Sequence, residues 1–223
     1  MERIIQFDSK EELEKVLAKR IAEILAKEID SKGSASMLLS GGSTPKKLYQ
    51  ELGSIQMDWS RVHVGLVDER FVPQESPFSN ETLIRESLMH SFASKAQFHP
   101  MVIDSLDYEE NLKLATRENS IFQTPDVIVL GMGDDGHTAS LFPNDLNSEN
   151  ASHSYDLLAN TNAPNHPTQR ITFCGPILSS GKHNFLMITG ENKKKVLIES
   201  QEKNYPINQF MSVLEGIYYT ENV

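Results

Sequence analysis

The sequence predicts an α/β protein built on a mostly parallel sheet with helices on both faces. Three observations carry the prediction. Segments of strand character alternate with segments of helical periodicity along the chain. The most apolar strand, Asp126 to Leu130, is short and opens straight into a polar turn. Four polar turn segments sit at strand ends or directly after them, where open α/β sheets bind their ligands.

The elements follow in order. A short strand, RIIQF, comes first. Leu13, Val16, Leu17, Ile21, Ile24, Leu25 and Ile29 then recur with the period of an amphipathic helix, and Ser9 with Glu12 forms a capping box at its start. Ala35 to Leu39 is a second strand, bounded by Ser40-Gly41-Gly42-Ser43-Thr44-Pro45; Leu48, Tyr49 and Leu52 mark the next helical face. The strand VHVGLVD ends in Asp68-Glu69-Arg70. Helices are expected from about Asn80 to Phe92 and from about Asp107 to Phe122. Asp126 to Leu130 leads into Gly131-Met132-Gly133-Asp134-Asp135-Gly136-His137. RITFC, NFLMITG and GIYY are strand-like, with a helix over Glu191 to Ser200. There is no repeat or flexible linker, and the 223 residues fit one domain spanning 1–223.

Composition narrows the function classes. Hydrophobic residues are 39% and charged residues 23%, an ordinary globular balance. The one cysteine, Cys174, allows neither an intrachain disulfide nor a multi-thiolate zinc site, which suits a reducing compartment. The opening MERIIQFDSKEELEK mixes acids with bases, unlike a signal or transit peptide. Runs such as VIVLGMG fall well short of the ~18–20 apolar residues a membrane helix needs. A cytoplasmic location is expected. A net charge of -10 argues against nucleic acid or an anionic membrane as partner. A small anion remains open, provided the basic groups that hold it are clustered.

Four segments carry candidate chemistry. In Gly41-Gly42-Ser43-Thr44-Pro45, glycines allow a tight turn, Thr44 can cap the next helix and Pro45 suits its first position. The helix start then offers free N–H groups to a phosphate or an oxyanion, although no Walker Gly-Lys-Ser/Thr follows. Alternatively the segment is an ordinary strand–helix connection. Arg70 supplies a planar fork for a phosphate, with Asp68 or Glu69 to orient it or to bind sugar hydroxyls, and Ser79-Asn80 follows; the bland alternative is a solvated charge cluster.

GMGDDG formally matches a dinucleotide fingerprint, but Asp134 and Asp135 would oppose a pyrophosphate and the motif lies beyond mid-chain. His137 is the better focus. A neutral imidazole can act as a base at working pH, and Asp135, two residues earlier, can orient it. No G-x-S-x-G accompanies it, which favours an activated water over a covalent intermediate. A metal held by Asp134, Asp135 and His137 has no second ligand pair in support, and the other histidines (63, 90, 99, 153, 166 and 183) show no ligand spacing. Arg170 opens a strand, and Lys193 lies near a helix start within reach of a phosphate, whereas Lys194 and Lys195 suit solvent.

Together, LSGGSTPKKLYQEL, VHVGLVDERFVP with SN after it, PDVIVLGMGDDGHTASLFP, PTQRITF and FLMITGENKKKVL resemble the 6-phosphogluconolactonase family, in its order and over almost the whole chain. GMGDDGHTASLFP is the most specific stretch. The resemblance implies a Rossmann-like fold of the sugar-phosphate isomerase and deaminase type, with no metal and no organic cofactor. It implies hydrolysis of 6-phospho-D-glucono-1,5-lactone to 6-phosphogluconate, a step of the oxidative pentose phosphate pathway. By position in the motifs it makes His137 the catalytic base and Asp135 its support. It assigns substrate or phosphate binding to Gly41, Gly42, Ser43, Thr44 and Arg70, and with them Asp68, Asn80, Arg170 and Lys193. The expected partner is a small phosphosugar lactone, with no nucleic acid and no membrane, and the chain a monomer or weak homo-oligomer.

Two other classes stay in view. Glucosamine-6-phosphate deaminases share the G-x-D-G-H turn but usually continue Ile-Ala-Phe-Asn-Glu-Pro; here Thr138-Ala139-Ser140-Leu141-Phe142-Pro143 lacks that Glu. A non-catalytic sugar-phosphate-binding protein of this fold would usually carry an additional domain.

Overall fold

The computed structural model describes residues 3–104 and 106–223. Its main sheet has seven parallel strands in the order β1 (Ile4–Phe7), β10 (Leu214–Thr220), β9 (His183–Thr189), β6 (Val127–Leu130), β2 (Ala35–Leu39), β3 (Val62–Leu66) and β5 (Gln97–Phe98). The residues of β2 and β6 are buried along their whole length, so both faces of the sheet centre are covered, as in all-parallel sheets generally. From β2 the chain builds outward through β3 to β5; from β6 it builds the other way through β9 and β10. The direction of winding therefore reverses between β2 and β6. In open α/β sheets that reversal opens a crevice at the strands' carboxyl ends.

The first helix, α1 (Lys10–Lys32), has the expected cap: the Glu12 amide donates to Ser9 Oγ at 3.2 Å. Gly33, at φ +88°, closes it with its N–H on the Ile29 carbonyl. Leu13, Leu17, Ile21, Ile24 and Leu25 are buried, but Val16 is 44% exposed because it lies about a third of a turn from the middle of that stripe. At the opposite end of the sheet from the crevice, buried Asp126 accepts from Lys32 (2.6 Å) and from the Ser36 amide (2.8 Å), and pairs with Lys182 (3.0 Å).

Several boundaries move. VHVGLVD leaves the main sheet at Val67, and β4 (Asp68–Arg70) belongs to a second, antiparallel sheet in the order β4, β8 (Gln169–Phe173), β7 (Leu158–Asn162). α2 runs Lys46–Gly53, so Pro45 takes the cap position and Thr44 makes no cap hydrogen bond. Pro45, at ψ 1°, still belongs to the turn, which displaces the helix start by one residue. α3 is Asn80–Ser87, stopping short of Phe92 because the chain turns through Ser91 at φ +51°. α4 is Tyr108–Glu118, capped by Asp107. α5 (Leu146–His153), β7 and α6 (Gly175–Ser179) lie in segments with no clear periodicity, and α7 is Glu191–Glu199.

Candidate active site

The turns after β2 and β6 meet at the crevice, because β2 and β6 pair directly, with Leu39 opposite Val129. The Ser40 amide donates to the Val129 carbonyl at 3.0 Å, and the Tyr49 hydroxyl donates to the Ser40 carbonyl at 2.6 Å. Beyond them the chain swings through Gly42, whose φ of +93° favours glycine. Gly41 has a different constraint: a Cβ there would stand 1.9 Å from Asn80 Oδ1. The first N–H groups of α2 have no acceptor within the helix, and no side chain caps them. These donors are the positive end of the helix dipole.

Asn80, the first residue of α3, is buried and donates from Nδ2 to the Asp68 carbonyl at 2.9 Å. Its Oδ1 has no hydrogen-bond partner. Arg70 donates from Nη1 to the Phe78 carbonyl at 2.7 Å, and its buried Nε is also without a partner. Asp68 is different. It is buried, accepts from Ser140 Oγ at 2.5 Å and does not reach the cleft wall. Glu69 lies behind the wall, where burial raises its carboxyl pKa to about 7 against the pull of the amides of Asn80, Glu81 and Arg70.

The turn after β6 holds a close histidine–aspartate pair. His137 Nδ1 and Asp135 Oδ1 are 2.5 Å apart, and the Asp135 carboxylate also accepts from the His137 amide at 3.1 Å. Burial opposes the Asp135 charge, but the hydrogen bond and charge of His137 outweigh it and hold the pKa at about 2. The His137 ring packs on Phe142 at 4.8 Å between centroids. Gly133 makes room for the pair, since a Cβ on it would lie 2.1 Å from Nδ1. The loop is pinned by Thr138 Oγ1 on the Gly131 carbonyl at 2.7 Å and by the Gly133 amide on the His137 carbonyl at 2.8 Å. It runs on to α5 only at Leu146, so GMGDDG opens no helix and lacks the dipole end a dinucleotide site uses.

Arg170 lies directly across the β4–β8 ladder from Arg70. Two like charges in register repel one another, so an anion between them would relieve the pair. Arg170 donates from Nε to the Pro167 carbonyl at 2.8 Å, stacks over Phe142 at 5.5 Å, and is held from outside the cleft wall by the Tyr108 hydroxyl, which bonds both its N–H and its carbonyl. Its burial makes the charged form costlier than usual. Lys193, in the first turn of α7, reaches the cleft and pairs with Asp134 at 3.0 Å.

These segments enclose a cleft of about 200 Å³. Of the predicted residues, Gly41, Gly42, Thr44, Arg70, Asn80, His137 and Lys193 line it. Ser43 lies on a neighbouring groove with Lys46 and Lys47, while Asp68, Asp135 and Arg170 stand behind the wall. Met132, Ala139, Met187 and Thr189 also line it, without a motif that marks them in sequence. Gly133 was legible only as part of a glycine turn. Among the described residues, no carboxylate is part of the lining. Among the described residues, no group of three or more His, Cys, Asp or Glu side chains could hold a metal ion.

A family model described as glucosamine-6-phosphate isomerases/6-phosphogluconolactonase matches residues 8–215. The chain belongs to that family. A 6-phosphogluconolactonase of Rhizobium meliloti is 36% identical over 198 residues, covering 87% of this chain and 85% of its own. One from Neisseria meningitidis is 34% identical over 210 residues, covering 91% of each chain. The crystal structure of a 6-phosphogluconolactonase from Shewanella baltica superposes with a TM-score of 0.90 at 35% identity, covering 99% of this chain and 97% of the other. The family's α/β fold is thus the fold observed.

Proposed function

We propose that this chain hydrolyses 6-phospho-D-glucono-1,5-lactone to 6-phosphogluconate, with His137 as general base. The observation that carries the reading is the His137–Asp135 pair at 2.5 Å, set in a cleft whose lining also supplies Arg70, Lys193 and the Gly41–Thr44 turn. A hydrogen bond from Nδ1 to Asp135 leaves Nε2 as the basic nitrogen. Nε2 takes a proton from water as the water oxygen attacks the lactone carbonyl. The ring C–O bond then breaks, and the proton returns from His137 to the departing ring oxygen. Backbone N–H groups of the glycine turns stabilise the tetrahedral oxyanion. Arg70 and Lys193 hold the phosphate, with Arg170 behind Arg70 adding to the positive field.

Membership of the family leaves two activities, and the residues after His137 favour the lactonase. Glucosamine-6-phosphate deaminases usually carry a Glu after the G-x-D-G-H turn as the acid for isomerisation, and here Thr138-Ala139-Ser140-Leu141-Phe142-Pro143 has none. Hydrolysis of an activated ester needs a base and an oxyanion site. We read the chain as a single cytoplasmic domain, a monomer or weak homo-oligomer with no nucleic-acid or membrane partner. Its net charge of -10 argues against nucleic acid or an anionic membrane as partner, and among the described residues no helix is long and apolar enough to cross a membrane.

The test is hydrolysis of freshly made lactone, coupled to 6-phosphogluconate dehydrogenase with EDTA present, for wild type and His137→Ala. Fast turnover lost in the variant is expected. A wild type no faster than spontaneous hydrolysis refutes the lactonase reading and directs attention to ammonia release from glucosamine-6-phosphate.

A further inference from the structure

Glu69 is a buried carboxylate, 2% exposed, whose hydrogen-bond donors are all neutral. Its Oε1 accepts from the amides of Arg70 (2.7 Å) and Asn80 (2.8 Å). Its Oε2 accepts from the Glu81 amide (2.7 Å) and the Ser79 hydroxyl (3.2 Å). Burying a carboxylate is costly, and here helix-end and main-chain amides offset the cost in place of a cation. Simple capping of α3 does not require this arrangement, because Ser79 already caps it through the Thr82 amide.

One carboxylate oxygen therefore joins two residues on different elements. Arg70 is on β4 and Asn80 begins α3, and both line the cleft. The same two residues carry spare polar atoms, Arg70 Nε and Asn80 Oδ1. Asn80 Oδ1 also lies where a side chain on Gly41 would be. A shift of Asn80 would thus move the cleft wall against the Gly41 turn as well.

We infer that Glu69 is a positioning residue for substrate binding, its carboxylate fixing Arg70 and Asn80 in the spacing the substrate meets. The inference rests on the lactonase reading. The set suits a carboxylate because three of the four groups facing it are main-chain amides that can only donate. Ser79, whose oxygen already accepts from the Thr82 amide, donates as well. In glutamine, one of the two oxygens becomes an NH₂ group, which faces either the Arg70 and Asn80 amides or the Glu81 amide and Ser79. Aspartate keeps the charge but is one methylene shorter, so it reaches only part of the set. The substrate's reacting carbonyl meets His137, which Glu69 does not touch, so binding should suffer and chemistry should not.

Steady-state kinetics of Glu69→Gln and Glu69→Asp on the lactone, beside wild type, provide the test. For Glu69→Gln, KM is expected to rise about tenfold with kcat within about threefold of wild type. Glu69→Asp is expected between the two, a partial rescue that a mere packing role would not give. If Glu69→Gln is insoluble, Glu69→Asp carries the same comparison. A folded variant with unchanged KM, or with kcat lowered at constant KM, overturns the inference. An inactive wild type overturns the lactonase reading instead, and this inference with it.

Discussion

Gly133→Ala isolates the geometry of His137 and Asp135, the proposed base and its support, without replacing either residue. The backbone at Gly133 is outside the left-handed region, so alanine meets no conformational penalty there. Its Cβ would, however, lie 2.1 Å from His137 Nδ1, 2.2 Å from Cε1 and 2.6 Å from Asp135 Oδ1, where ordinary contact begins at 3.4 Å. The imidazole must retreat by more than about 1 Å, yet it is backed by Phe142 and tied to Asp135. A displacement of about 1 Å at a reacting group costs on the order of 100-fold in rate. Overpacking should also lower stability by about 1–3 kcal/mol. The coupled lactone assay measures kcat, and a thermal melt shows that the variant is folded. Asp135→Asn, which keeps the shape but supports the wrong tautomer, should cost more, about 1,000-fold or above. A folded Gly133→Ala with kcat within about threefold of wild type would refute the assignment of this pair.

Other consequences can be measured with the same protein. Arg70→Ala should raise KM by about 10–100-fold, the equivalent of a charge-assisted hydrogen bond, in the same assay; an unchanged KM removes Arg70 from the phosphate site. Asp126→Asn should destabilise the fold by about 2 kcal/mol, below the usual cost of breaking a buried pair because Lys32 and Lys182 are 40% and 44% exposed. Burial opposes the Asp126 charge, but Lys32, Lys182 and the Ser36 amide hold its pKa below the usual carboxylate value. Its stabilisation is therefore complete above about pH 4 and is lost as pH falls through the folded value. Urea unfolding should show the gap between wild type and Asp126→Asn shrinking toward pH 3, and a constant gap would contradict this. Cys174, fully buried with its thiol pushed up to about 11, should resist thiol reagents until the chain unfolds. Rapid labelling of the native protein would show that β8 and its neighbours open locally.

The candidate site was legible in part because its pieces are local. Gly41-Gly42, Arg70 and the Asp135-Gly136-His137 turn each announce themselves within a few residues, next to strands of clear character. Asp68 and Glu69 were harder. Both are acids beside an arginine, and only the structure shows that one bonds Ser140 while the other joins β4 to α3. α5 and β7 leave no sequence signal because LNSENASH and LANTN carry almost no apolar period; contacts from distant segments stabilise them.

The sequence by itself determined the α/β class, most of the main-sheet strands, the first helix with its cap, and the turns that form the candidate site. Those features arise from residues close together in the chain, through side-chain periodicity and local hydrogen bonding. Tertiary structure alone decided that β2 lies beside β6, that β4 leaves the main sheet for its own, and that Arg70 faces Arg170. Strand order depends on which apolar faces bury one another across long separations, and no contiguous pattern encodes that pairing. The cleft exists because the winding reverses between β2 and β6, so that the turns bearing Gly41 and His137 follow neighbouring strands, which is a property of the assembled sheet.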